Sequence, residues 1–434
     1  MNIVLKGAEY FCIFLQWLNH YSWFFVFIFP PLLTTNAAAM QPIVVMAILG
    51  LYQLIRQPSR ILADSAYHPL IFLFLCIWLP ILFSLPDSIT PVPTLHAGFT
   101  FLLYFLSGIV IFQVGRETDM QNKLLIAITL VAGFCAIDGI VQLVLGRNLF
   151  GYPLDEGNIS GVFYPKLRLG HILAVFSPLY FEGLRRYIPY QWLIWILALL
   201  LVLVILFTGR RVAWIMLSIA SIFYGVYCFK MGFWQNWKKH LSVIGIGIIL
   251  LIPIILLYSP FSQRIAQTLG LFTRDYQAIN LATSYRLPLW NTAYAISKDH
   301  WLNGTGVRGF REACKKYADK NPKNINIYEA SQPIYGCSTH PHSILLEIST
   351  EVGLIGIMGY FLFGWLFWRY MKKVPPDQYP NVIPWAITVL VAVFPLDAHM
   401  AFYGSYWSST TWWLIALTLA KIAPKASKAA SNLD

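Results

Sequence analysis

The chain is a succession of apolar runs, each about 19 residues long, parted mostly by short polar connections. Such runs limit the fold severely. Inside hydrocarbon every backbone N–H and C=O needs a partner within the protein, and a helix supplies them from its own segment. The runs therefore predict an all-α polytopic membrane protein. Of 434 positions, 58% are hydrophobic and only 12% charged, against roughly 25% charged in a soluble domain. The aromatic content of 16% suits the Trp and Tyr belts found at bilayer interfaces.

Windows of this length predict about twelve transmembrane helices. Their cores lie near 16–34, 37–55, 69–86, 97–115, 124–145, 169–184, 191–208, 212–229, 241–258, 346–368, 382–396 and 402–420. Nine fall within 1–258, a loop domain occupies 259–342, three more fall within 343–422, and 423–434 forms a tail. The core at 169–184 is short and suits a tilted or partly re-entrant segment. The first run lacks a small-residue cleavage site and continues directly into a second, so it reads as a retained helix. Arg56, Arg60, Arg116, Lys123, Arg185, Arg186, Lys230, Arg369 and Lys372 occupy alternate connections. The positive-inside rule assigns those connections, and both termini, to the cytoplasm. The net charge of +12 then speaks of orientation and anionic membrane lipid, not of nucleic acid.

The outer loops 35–41, 86–96 and 397–401 carry no Lys or Arg. Three outer segments break this pattern: 146–168, the turn Thr208-Gly-Arg-Arg211, and 259–342. Their charges need another reason, and anion binding supplies one. Within the long loop, Ser284-Tyr-Arg-Leu-Pro-Leu-Trp290 begins an amphipathic helix that Gly304-Thr-Gly306 stops. Segment 315–335 reads as an irregular lid. Pro341 suits the first turn of the next helix, with Ser338 or Thr339 as cap. That helix would carry His342, Leu345, Leu346 and Ser349 on one face.

Each candidate residue has a competing, purely structural reading. His342 can accept a proton from a hydroxyl near neutral pH, or be an interfacial histidine bonded to a carbonyl. His340 is less persuasive, since two residues along a helix points it elsewhere. A zinc pair does not fit, because helical chelators use i, i+4 spacing. Arg210 and Arg211 sit in a turn too short to be a solvated domain. Their guanidinium forks bind phosphate oxygens bidentately, or snorkel to lipid headgroups. Arg286 opens the loop helix, where a surface salt bridge is the alternative. Lys166 and Arg168 close the segment Asn158–Arg168. Arg264 and Arg274 either add to a positive field or form a solvated rim. Asp138, inside the fifth span, either pairs with Arg168 or is simply hydrogen-bonded.

Of six cysteines, Cys12, Cys76, Cys135 and Cys228 lie in or beside apolar runs and read as small core residues. Cys314 and Cys337 are the only two in the long loop. Their outer location permits a disulfide, with two free thiols as the alternative. No nucleotide-binding glycine loop or metal-binding carboxylate pair stands out. The motifs therefore give no support to nucleotide binding with magnesium.

His342-Ser343, Leu346 and Gly353 together look like the histidine motif of the O-antigen ligase and polymerase superfamily. Thr208-Gly-Arg-Arg-Val-Ala213 resembles a family turn in which an arginine follows a small polar residue, aligning with Arg211. Arg286, with an aromatic residue a helical turn later, is similar to the family's loop arginine. A weaker likeness is the Gly-aromatic-x-Pro-like stretch Gly161-Val-Phe-Tyr-Pro165 before Lys166. The resemblance implies glycan transfer from undecaprenyl diphosphate to lipid A-core or a lipid-linked glycan, in a bacterial inner membrane. It further implies a periplasmic active site, inversion at the anomeric carbon, and no metal or other cofactor. His342 would be the catalytic base, with Arg211, Arg286, Arg210, Arg168 and His340 binding substrate. The single large loop leans towards a ligase. The basic 146–168 loop and the segment from Pro395 to Trp407 also fit a polymerase. A transporter of lipid-linked saccharides would need charges along a central path, whereas these cluster at one face.

Overall fold

The computed structural model describes residues 2–35, 38–155, 157–233, 259–318, 337–395 and 400–423, and the single positions 242, 245 and 247. The fold is helical. Among the described residues, β pairing is confined to two isolated bridges between 147 and 158. The first part comprises α1 (Asn2–His20), α2 (Ser22–Leu32), α3 (Met40–Arg56), α4 (Pro58–Leu62), α5 (His68–Phe83), α6 (Pro91–Arg116) and α7 (Thr118–Leu145). Then come α8 (Leu169–Tyr187), α9 (Gln191–Phe207) and α10 (Arg211–Lys230). The loop region holds α11 (Ser259–Leu269), α12 (Tyr276–Ala282), α13 (Leu287–Asp299) and α14 (Phe310–Ala318). Last are α15 (Ile344–Glu351), α16 (Gly353–Lys372), α17 (Tyr379–Ala392) and α18 (Ser405–Ile422).

Among the described residues, α6, α7, α10 and α16 are long and apolar enough to cross a membrane. A bent pair, Cys12–His20 with Ser22–Leu32, raises the number to five, and α3, α5 and α9 are shorter apolar helices. The chain is thus a multi-pass membrane protein. The expected span at 241–258, most of the lid at 315–335, residues 396–399 and the tail beyond Ala423 lie outside the described residues.

Burial separates lipid-facing helices from enclosed ones. In α16, Met358, Phe361, Trp365 and Trp368 are exposed at helical spacing, which gives a stripe suited to acyl chains. By contrast, α18 is buried without a break from Trp407 to Lys421. It packs on α6 and α17, surrounded by helices. Two buried carboxylates inside the helical layer are paired, as a low dielectric requires. The carboxylate of Glu182 takes Arg185, Arg186 and the Tyr224 hydroxyl. Asp138 accepts from Asn148 Nδ2 at 3.1 Å and from the Leu149 amide at 3.0 Å, so it anchors the 146–152 turn by hydrogen bonds.

Three expectations about helix boundaries are corrected. Residues 16–34 are not one straight helix, because the chain bends by 63° at Tyr21. Residues 346–368 divide at Val352, with Gly353 at φ +63°. A Cβ at Gly353 would come within 2.4 Å of the Leu302 backbone, so only glycine allows that approach. The gap between α15 and α16 is filled from the loop: Thr305 and Gly306 donate to the Thr350 and Glu351 carbonyls, while Leu354 and Ile355 donate to those of Trp301 and Leu302. Finally, the first loop helix opens at Arg286, its N-cap, as expected, whereas the second does not start at Pro341. The first begins at Leu287 after two left-handed residues, Ser284 and Tyr285. The second begins at Ile344, with Ser343 as N-cap in place of Ser338 or Thr339.

Candidate functional site

The turn between α9 and α10 is pressed against its neighbours. Gly209 adopts φ +66°, and a Cβ there would meet Asn158 Oδ1 at 2.2 Å. A Cβ on Gly170 would meet Thr208 Oγ1 at 2.4 Å. The tight turn sends its two arginines different ways. Arg210 is the extended N-cap of α10, and Arg211 its first helical residue. Arg211 donates to the Ala282 carbonyl and, at 3.0 Å, to Gln267 Oε1. It thereby ties the span to α11 and α12.

Two more arginines join this neighbourhood. The charges of Arg264 and Arg286 act on Arg211, and those of Arg210 and Arg286 act on the buried His171. A cavity of about 440 Å³ opens beside them, lined by Arg211, Arg264, Gln263, Gln267, Ser284 and Tyr285. Like charges held this close set up a field that attracts a multiply charged anion. Arg168, one turn before His171, lies 3.9 Å from the Tyr406 ring centroid. This joins it to α18. Among the described residues, no group of three or more His, Cys, Asp or Glu is placed to hold a metal ion.

The histidine turn is coupled to the arginines through α13. Arg286 is the N-cap of that helix. One turn later, Trp290 Nε1 donates to the Pro341 carbonyl at 3.1 Å. His342 lies off the helix, at φ +53°, so it shares no helical face with Leu345, Leu346 and Ser349. A residue other than glycine in the left-handed region costs about 1–3 kcal/mol and persists only where its surroundings impose it. Because the segment is not helical, the two histidines converge, with ring centroids 4.2 Å apart. The separation argued from helical spacing was therefore mistaken. His342 Nε2 lies 3.0 Å from Ser338 Oγ, and His340 Nδ1 lies 3.0 Å from Thr339 Oγ1.

Sequence reasoning passed over His171, Glu347 and Glu351. Glu347 accepts the Phe402 and Tyr403 amides at 2.9 and 3.1 Å. The backbone of Arg308 and Phe310 hydrogen-bonds to the buried Glu351. Between them, these carboxylates hold α15 to the segment before α18 and to the Gly304–Phe310 loop. Acidic residues four apart inside an apolar run were the signal available.

Cys314 and Cys337 form a disulfide with a Cα–Cα distance of 5.8 Å. Cys314 is buried with Leu289, Ala293, Ile296 and Phe310, so the bridge attaches the approach to His342 to the small core of α13 and α14. Nearby, Tyr317 donates to Asp299 at 2.5 Å. Burial, together with that carboxylate, pushes the Tyr317 phenol up to about 12. Closing a loop of 23 residues' separation restricts the unfolded chain by roughly 3 kcal/mol in the loop-entropy picture. Thiol labelling of unreduced, denatured protein should modify Cys12, Cys76, Cys135 and Cys228 but leave Cys314 and Cys337 unlabelled. Labelling of all six would exclude the bridge.

No curated protein matches the chain. Residues 196–361 match the family described as O-antigen ligase. That stretch runs from within α9 into α16. It contains Arg210, Arg211, Arg264 and Arg286, both loop cysteines, and His340 and His342. The chain is thus similar to the O-antigen ligase family over residues 196–361, less than half of its length, within a multi-pass helical chain.

Proposed function

We propose that this protein transfers a glycan from an undecaprenyl-diphosphate donor to lipid A-core at the periplasmic face of the inner membrane. The observation that carries the reading is the arginine-lined cavity, coupled through Trp290 and Pro341 to the left-handed His342. In this mechanism the His342 imidazole takes the proton of the acceptor hydroxyl. The freed oxygen attacks the anomeric carbon from the side opposite the diphosphate, so configuration inverts. The bond from that carbon to the diphosphate oxygen breaks, and the departing charge is held by Arg211 and Arg286. Arg210 adds to the field beside His171, and His340 packs on the base. Arg168 is a further contact for the saccharide or its diphosphate.

A second reading, polymerisation of lipid-linked repeat units, is favoured by one specific contact. Arg168, from the basic 146–168 loop, is seated on Tyr406, within the segment from Pro395 to Trp407. A lipopolysaccharide ladder from a deletion strain separates the two. Loss of all O-antigen with lipid-linked polymer retained is expected of a ligase, whereas a single-repeat band would indicate a polymerase. With purified enzyme and donor, a chelator should leave the rate unchanged. Inactivation by chelator with rescue by magnesium would contradict this mechanism.

A further inference from the structure

A second, larger cavity lies at the C-terminal end of α6. The start of that helix is tied to the 304–310 loop, where Thr94 Oγ1 donates to the Val307 carbonyl. Its 26 residues then span roughly 40 Å at about 1.5 Å per residue. At the far end, a cavity of about 960 Å³ opens among α1, α3, α4 and α6. Arg56, Arg60 and Arg116 line it, together with the amides of Asn19, Gln53 and Gln113. Asp64 and Glu117 also face it, so the lining keeps a net positive charge.

We infer that this cavity binds the phosphate headgroup of an anionic phospholipid. Arg116 is half-buried beneath it, 3.5 Å from Asp64 and stacked over Phe112. Arg56 lies over Tyr52, and Arg60 donates to Gln57 at 3.0 Å. These contacts hold guanidinium groups at the cavity while leaving Arg56 and Arg60 exposed. Forked donors suit phosphate oxygens, and the amides suit a glycerol or ester group. The flanks point to a lipid over a soluble anion. Ile13, Phe14 and Trp17 are exposed on α1, and Ile48, Leu51 and Ile55 on α3. A headgroup in the cavity would leave its acyl chains against those two apolar faces. Basic pockets between membrane helices on the cytoplasmic side recognise such lipids, and the alternation of Lys and Arg assigns this end to that side.

The test uses the full-length protein in detergent, followed by thermal unfolding. Phosphatidylglycerol should raise the unfolding temperature saturably, and phosphatidylcholine should not. In Arg56→Gln/Arg60→Gln, both on exposed positions, the phosphatidylglycerol needed for half the effect should rise roughly tenfold or more. An equal response to phosphatidylcholine would overturn the proposal, as would an unchanged response in the folded double variant. So would the same shift from inorganic phosphate alone. If the double variant does not fold, the comparison of lipids with phosphate on the wild-type protein decides. Failure here leaves the transfer reading intact, because the two cavities share no lining residue.

Discussion

His342→Ala abolishes glycan transfer while the protein still inserts and binds donor. Loss of a positioned general base costs on the order of 10²–10⁴ in rate. The measurement is turnover of lipid-diphosphate glycan by purified enzyme in proteoliposomes, beside a binding assay for the same donor. Wild-type turnover by a folded variant would end the base assignment. His340→Ala should fall between the two, since its ring packs at 4.2 Å on that of His342 and its loss removes support. Because Trp290 holds the Pro341 carbonyl, Trp290→Phe should lower turnover more than donor binding. That split would mark Trp290 as a positioning residue.

Arg211→Lys and Arg286→Lys each weaken donor binding roughly 10–100-fold. A hydrogen bond to a charged group contributes about 1.5–3 kcal/mol, and lysine keeps the charge but loses the fork. The two variants should differ in a second respect. Arg211 also holds Ala282 and Gln267, so its replacement should open α11 and α12 to limited proteolysis. Arg286, which precedes α13, should leave that pattern unchanged. Arg210→Lys, measured alongside, shows which arginine of the turn meets the diphosphate. A larger binding loss for Arg210 than for Arg211 would reverse the assignment made from the family's turn.

The legible parts of this protein are those with a repeating or compositional signature. Apolar runs marked α9 and α10 to within a residue and the ends of α6 and α7 likewise, with their starts six residues late, because a helix in lipid must be apolar along its length. The order of Arg211, Arg286 and His342 was also readable, since charges stand out against such a background. What failed were the points where the chain leaves helical geometry. Nothing in the residues from Ser338 to Glu351 distinguishes a helix beginning at Pro341 from one beginning at Ile344. The difference comes from a long-range bond, Trp290 to Pro341, and from the loop that hydrogen-bonds across the break at Gly353.

By itself the sequence determined that the chain is helical and membrane-borne, and that cationic side chains gather late in it around two histidines. Those properties follow from local composition, which the hydrophobic effect reads residue by residue. Only the tertiary structure decided that His340 and His342 meet, that the charge of Arg210 acts on His171 while Arg211 donates to Gln267, and that Glu347 and Glu351 hold the short helix after the histidines. Each of these depends on left-handed residues or on partners tens of positions away. Such contacts have no period along the chain, because packing in three dimensions selects them after the helices have formed.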